Sequence, residues 1–247
     1  MLNNHKISAI VCAYNEQDTI ELMLSQLAQT HIPDQIIVVN DGSSDNTKKI
    51  LDNLKSKLNL SVIHLKQNMG KGYALATGIQ AANNQLLIFL DADIYGLKAE
   101  HLSALASPLI SNDADMTLGQ HTEAVIYYKI NPFIIISGQR AVFKKDILPI
   151  INDMKQTRYG VETLINLYYL ANKKKIKFVY LNGLHHKTKF EKNSYANNAI
   201  ALFAQEFYQI TYTFVKNSDL ILQSAIKSNS LLSINSFIEK LKKSFEP

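Results

Sequence analysis

The chain has little with which to cross-link itself. Cys12 is the one cysteine among 247 residues, so no intrachain disulfide can form, which fits a reducing compartment. No window reaches about 18 uninterrupted apolar residues, so no membrane-spanning helix is expected. The most apolar late stretch, AIALFAQEFYQITYTFV, is broken by Gln205, Glu206 and Gln209. The opening MLNNHKISAIVCAYNE carries too short an apolar stretch for a signal peptide and runs directly into a strand pattern. Internal repeats and low-complexity linkers are absent, as is the phosphate-loop pattern GxxxxGK[ST]. The expectation is a cytoplasmic chain, with peripheral contact at the inner face of a membrane left open.

Hydrophobic residues make up 47%, enough for a substantial core, and the length suits one large domain or one domain plus an appendage. The formal net charge of +5 and a pI near 9.0 favour anionic partners such as phosphates, a lipid surface or nucleic acid, without choosing among them. Nucleic-acid binding has only that charge in its favour and is not expected.

Along the first ninety residues, strand and helix patterns alternate four times. KISAIVCA, QIIVVN, SVIHL and LLIFLD are short, β-branched or apolar runs that read as buried strands. Between them, Ile20, Met23, Leu24 and Leu27 fall at helical spacing in a helix expected from Glu16, with Asn15 as its N-cap. Ile50, Leu51 and Leu54 belong to a second helix, capped by Asp45 or Asn46. Ala74, Leu75, Gly78 and Ile79 belong to a third that follows the loop NMGKG. This alternation predicts an α/β fold with a mainly parallel sheet flanked by helices. Ligands in such sheets bind outside the carboxyl ends of strands, and right-handed crossovers gather YNE, NDGSSD and DAD on that edge.

Beyond Gly96 the pattern loosens. A helix is expected over Ala99 to Ile110, strands in DMTLGQ and NPFIIISGQRAVF, and a short helix after Lys145. VETLINLYYLANKK reads as a helix and IKFVYL as a strand. About the last fifty residues read as helical, ending in a face of Ile234, Phe237, Ile238, Leu241 and Phe245 beside Lys240, Lys242 and Lys243. The expected division is a catalytic domain over 1–192 and a helical extension over 193–247, packed on the domain, on a partner in a homodimer, or on a membrane surface.

Asp91 and Asp93 follow the LLIFL strand with one residue between them. Two carboxylates so spaced suit a hard divalent cation, Mg²⁺ or Mn²⁺, whose shell is completed by phosphates. Without that strand position, capping or a solvated turn would be the better reading. Asp41 ends the second strand, where it either opens an Asx-turn into Gly42 or accepts a hydrogen bond from a base or ribose. Ser43, Ser44 and Asp45 read as turn and cap residues. NMGKG offers backbone amides and the Lys71 ammonium to phosphate or sugar oxygens at a helix N-terminus.

VCAYNEQDTI, VVNDGSSDNT, NMGKGYALATGI and LIFLDAD, in this order over roughly residues 7 to 96, resemble the successive motifs of family 2 glycosyltransferases of the GT-A fold. The resemblance implies a nucleotide-sugar donor, a UDP-sugar first among them, a divalent metal, and transfer to an acceptor, with cell-envelope glycolipid or polysaccharide synthesis as a setting. By position it implies that Ala13, Tyr14 and Glu16 line the nucleotide pocket and that Asp41 contacts the base. Lys71 would lie near the donor, Asp91 would hold ribose or metal-bound water, and Asp93 would ligate the metal.

SGQRAV, RYGVET and HHKTKFEK resemble segments of soluble bacterial members of this group and of the related glucosyl-3-phosphoglycerate synthases. There a histidine completes the metal site, a role that falls here to His186, with His185 as the fallback; a surface loop is the competing reading. Glu162 is the candidate general base for an inverting transfer, against an ordinary acidic residue at a helix N-terminus. Gln139 and Arg140 are candidates for acceptor or diphosphate oxygens, although Arg140 also reads as an ordinary surface charge. Arg158 and Tyr159 are weaker candidates of the same kind. The acceptor is open between a lipid-linked and a small phosphorylated molecule. A sugar nucleotidyltransferase shares this plan but would want a glycine-rich loop after the first strand, and CAYNEQDT has no glycine. A non-catalytic nucleotide-sugar binding module is the third reading.

Overall fold

The computed structural model describes residues 5–120, 138–158 and 160–186, together with Lys216 and Asp219. Among them, β1 (Ile7–Ala13), β2 (Gln35–Asn40), β3 (Leu60–His64) and β4 (Leu86–Asp91) alternate with α1 (Ile20–Gln29), α2 (Thr47–Lys57) and α3 (Lys71–Ala81). There follow β5 (Ile94–Tyr95), α4 (Ala99–Ile110), β6 (Met116–Gln120), β7 (Arg140–Phe143), α5 (Lys144–Ile147), a 3₁₀ turn (Leu148–Ile150), α6 (Ile151–Gln156), α7 (Val161–Ala171), β8 (Ile176–Tyr180) and β9 (His185–His186).

Seven strands form one sheet in the order β3-β2-β1-β4-β7-β6-β8. The pairings β1–β2, β1–β4, β2–β3 and β6–β8 are parallel, and β7 alone among these strands runs against its neighbours β4 and β6. This is the expected mainly parallel sheet. The chain steps outward from β1 to β3 and then crosses back to place β4 on the other side of β1. Such a reversal opens a crevice at the carboxyl ends of the two central strands, where Cys12 of β1 stands beside Asp91 of β4.

Side chains alternate between the two faces of the sheet. Ala9, Val11, Leu86, Ile88 and Leu90 meet Ile20, Leu24 and Leu27 of α1, Leu51 of α2 and Leu105 of α4. Ile10, Ile37, Val39, Leu87 and Phe89 meet Leu75 and Ile79 of α3, Met154 of α6 and Leu164 of α7. The same alternation carries Asp91, two residues beyond Phe89, toward the face covered by α3 and α7.

Several local expectations change. α1 begins at Ile20, not Glu16, and Asn15 is no cap: it holds a left-handed φ of 55°, and its Oδ1 accepts from Ser44 N at 2.9 Å, joining two loops. The turn before α1 is closed instead by Glu16 O, which accepts from Thr19 N and Ile20 N. At α2 the Asp45 carboxylate accepts from Thr47 N at 2.9 Å, whereas Asn46 makes no side-chain cap. The short helix after β7 is three successive turns, α5, the 3₁₀ turn with Pro149 near its start, and α6. The small β5–β9 sheet was not anticipated. Residues 121–137, Tyr159 and the terminal helical face lie outside the described residues. Within the expected extension, Lys216 Nζ donates to Gln156 Oε1 at 3.2 Å.

α3 packs closely against the end of α6, where Gly72 N donates to the carbonyl of Arg158, two residues past that helix, at 3.1 Å. A Cβ at Gly72 would run into the Met154 and Thr157 carbonyls and the Thr157 hydroxyl. Replacing a helical glycine by alanine ordinarily favours the helix. Here Gly72→Ala is expected to destabilise the protein, by about 1–3 kcal/mol because backbone must shift, measured by urea denaturation.

Candidate active site

Construction of the site starts at β2. Asp41 is buried, and its two carboxylate oxygens accept from Met69 N at 2.7 Å and Gly70 N at 2.8 Å. The local Asx-type turn belongs to Asn40, whose Oδ1 accepts from Ser43 N at 3.1 Å and Ser43 Oγ at 2.5 Å. Asp41 therefore reaches 28 and 29 residues ahead to grip NMGKG, rather than turning its own loop. Burial pushes its carboxyl above the usual carboxylate range, outweighing the two amides and Arg158, which pull it down. Behind the same loop lies Arg158, whose Nη2 donates to Asn68 Oδ1 at 2.6 Å and whose Cα and side chain crowd the left-handed Gly70. Held from both sides, the loop delivers the next residue, Lys71, at the first position of α3.

Lys71 Nζ meets Asp91 Oδ1 at 2.7 Å and Glu162 Oε1 at 2.5 Å. Asp91 comes from the end of β4 and Glu162 from the first turn of α7. Burial works to lower the Lys71 pKa, but the two carboxylates outweigh it and hold the ammonium well above its ordinary value. Burial likewise works to raise Asp91; Lys71 and His186 prevail and hold it below its ordinary value.

The other oxygen of Asp91 accepts from Gln139 Nε2 at 2.9 Å. Gly138 lies so close that any Cβ would enter the Asp91 carboxylate. Gln139 and Arg140 are both buried behind Asp91. Arg140 is thus no surface charge: its Nη1 donates to Asn166 Oδ1 at 3.3 Å, and burial lowers its pKa against the opposing pull of Glu162 and Asp91.

Asp93 and His186 form the outer part. β5 and β9 pair antiparallel with Ile94 opposite His186 and Tyr95 opposite His185, the latter two rings stacked 5.2 Å apart. His186 Nδ1 lies 3.2 Å from Asp93 Oδ1, and its Nε2 4.0 Å from Asp91 Oδ2. His101 on α4 steadies the approach to β9 through Nε2 and the Asn182 carbonyl, 2.9 Å apart. Burial disfavours the charged imidazole, yet the carboxylates of Asp93 and Asp91 raise the His186 pKa. One ligand atom each from Asp91, Asp93 and His186 lies within 4.8 Å of the others. Two carboxylates and an imidazole suit Mn²⁺ or Mg²⁺, so the residues fit the expected divalent cation. His186, not the fallback His185, faces the aspartates.

At the end of β1, Ala13 is buried and Tyr14 is 42% exposed. Glu16 bonds through N to Thr47 Oγ1 at 2.8 Å and through Oε2 to Thr19 Oγ1 at 2.7 Å. The residues that sequence reasoning missed are Gly138, Asn166 and the β5 pair that carries His186. Gly138 had one available signal: an isolated glycine at a strand entrance marks close backbone approach.

Residues 8–133, just over half of the chain, match the sequence model of the family described as Glycosyl transferase family 2. The chain belongs to that family. Among curated relatives, the poly-β-1,6-N-acetyl-D-glucosamine synthase of Staphylococcus epidermidis is 39% identical over 88 residues, covering 35% of this chain and 21% of the relative. Its counterpart in Staphylococcus aureus is 41% identical over 88 residues, with the same coverage of both chains. The match thus spans about a fifth of those relatives. Among solved structures, glucosyl-3-phosphoglycerate synthase from Mycobacterium tuberculosis with Mn²⁺, UDP and phosphoglyceric acid superposes with a TM-score of 0.67 at 17% identity, covering 87% of this chain and 78% of that one. The same enzyme with Mg²⁺ and UDP gives 0.67 at 17% identity, covering 87% and 79%. These likenesses bear out the expected GT-A fold. No helix among the described residues is long and apolar enough to cross a membrane.

Cys12 lies under this family-2 site. Burial first, then the nearby Asp91, Asp41 and Glu162, push its thiol from 9.0 up to about 12, against the opposing pull of Lys71. The thiolate is the reactive form, so at pH 8 iodoacetamide should label native Cys12 at least about tenfold more slowly than the unfolded chain. Mass spectrometry of timed samples measures the ratio.

Proposed function

We propose that the chain is a metal-dependent glycosyltransferase that moves a sugar from a nucleotide diphosphate sugar, a UDP-sugar first, to an acceptor hydroxyl or phosphate. The observation that carries this reading is the convergence of Asp91, Asp93 and His186 at the crevice edge of a family-2 fold. In this reading Asp93 and His186 hold the metal, which supplies positive charge against the diphosphate that departs. Asp91 steadies ribose and metal-bound water, while Ala13, Tyr14, Glu16 and Asp41 line the nucleotide pocket. Lys71 supplies a second positive charge close to the carboxylates.

Glu162 is the proposed base. Its Oε1 is tied to Lys71, which fixes the carboxylate in one orientation, and Oε2 is the oxygen assigned to the acceptor proton. As the acceptor oxygen bonds to the anomeric carbon, the bond to the diphosphate breaks. Gln139 and Arg140 support Asp91 and Glu162 from behind. An acceptor bearing phosphate suits the net charge of +5, and the neighbouring synthase was crystallised with phosphoglyceric acid. The curated relatives are polysaccharide synthases, which favours cell-envelope polysaccharide as the setting. Residues 1–192 form the catalytic unit in this reading, cytoplasmic or peripheral at the membrane.

Incubation with Mn²⁺ and a panel of UDP-, GDP- and dTDP-sugars tests the proposal through nucleotide diphosphate release and donor binding. At least one donor is expected to bind only with metal, and Asp93→Ala to abolish this; indifference to metal or to that substitution overturns the reading. Glu162→Gln is expected to lower turnover by about 10²–10⁴-fold, with donor affinity retained when Mn²⁺ is saturating.

A further inference from the structure

In the inner part of the site two carboxylates face two cations. Asp91 and Glu162 lie among Lys71 and Arg140, and Arg140 is fully buried beside Asn166. Asp91, however, belongs to two groups at once. Its Oδ1 is bonded to Lys71, while its carboxylate also forms one corner of the group with Asp93 and His186.

We propose that Lys71 is a resident counter-ion of Asp91 that competes with a divalent cation for this carboxylate and withdraws onto Glu162 when the cation binds. The inference rests on the proposed metal site of Asp93 and His186, with Asp91 beside it reaching the cation through bound water. Three features support it. Lys71 already touches both carboxylates, at 2.7 Å and 2.5 Å, so releasing Asp91 leaves the ammonium paired. The backbone around Lys71 is pinned, with Met69 N and Gly70 N on Asp41 and Gly72 N on the Arg158 carbonyl, so the exchange needs only side-chain movement. The other oxygen, Oδ2, accepts from Gln139 at 2.9 Å and is the one that faces His186 Nε2 at 4.0 Å, so the ammonium and the cation draw on one carboxylate from its two oxygens while Gln139 keeps it in place. A cation in contact with a carboxylate weakens the attraction of that carboxylate for a second cation. Lys71 is thus a positioning residue that sets the metal affinity and couples it to Glu162.

Calorimetric titration of the full chain with Mn²⁺, without nucleotide, tests this independently of turnover. Lys71→Met is expected to bind Mn²⁺ about tenfold more tightly than the parent, with a larger Mn²⁺-induced rise in Tm. Lys71→Arg, which keeps the charge, should bind no more tightly than the parent. A merely structural lysine would give the opposite sign, so unchanged or weaker Mn²⁺ binding by Lys71→Met overturns the inference. Should that variant fail to fold, Lys71→Gln carries the same expectation. Glu162→Gln, which leaves the ammonium to Asp91 alone, is expected to weaken Mn²⁺ binding, and tighter binding counts against the proposal. Asp93→Ala separates the two levels. If it binds Mn²⁺ like the parent, the metal reading itself fails; if it loses Mn²⁺ while Lys71→Met gains nothing, only the counter-ion inference falls.

Discussion

The ammonium of Lys71 stands where three elements meet: the start of α3, the end of β4 and the first turn of α7. Asp91 and Glu162 could not approach from two of those elements without a cation between them, because both are largely withdrawn from water. Removing one partner of a fully buried ion pair costs about 3–5 kcal/mol. Lys71 is 32% exposed, so solvent takes up part of that cost. Arg140 adds a second cation from below, reached through β7, and so offsets Asp91 and Glu162 from within.

The direction of β7 explains how this inner layer is supplied. Ala13, Asp41 and Asp91 lie at or just past the exits of β1, β2 and β4, as the parallel plan requires. β7 runs the other way, so its entrance meets the same edge. Gln139 therefore reaches Asp91 from just before a strand, and Gly138 makes room for the carboxylate.

Much of this was legible in the chain because it is local. Period-two and helical spacing located β1 to β4 and their helices, and the position of DAD after LLIFL marked the ligand edge. Asp91 and Asp93 share that edge simply because they sit at a strand exit. The partners of those residues were not legible in the same way. Lys71 is twenty residues from Asp91 and Gln139 forty-eight, and no periodicity encodes such pairings. His186 could be named through family resemblance, yet the β5–β9 pairing that presents it involves strands of two residues each, too short to leave a pattern. Arg140 is a candidate for acceptor or diphosphate oxygens with a surface charge as the alternative, and only the tertiary arrangement of Glu162, Asp91 and Asn166, which makes its burial tolerable, removes that alternative.

The grip of Asp41 on Met69 and Gly70 reaches further than the loop it orders. Those two amides immediately precede Lys71, so the end of β2 and the end of β4 are joined through a short, rigid span. Free-energy coupling across such a span is reciprocal. Whatever steadies the β2 end of the crevice also steadies the ammonium at the β4 end, and whatever draws on that ammonium is felt at β2. The two ends of the crevice therefore behave as one thermodynamic unit, not as two independent subsites.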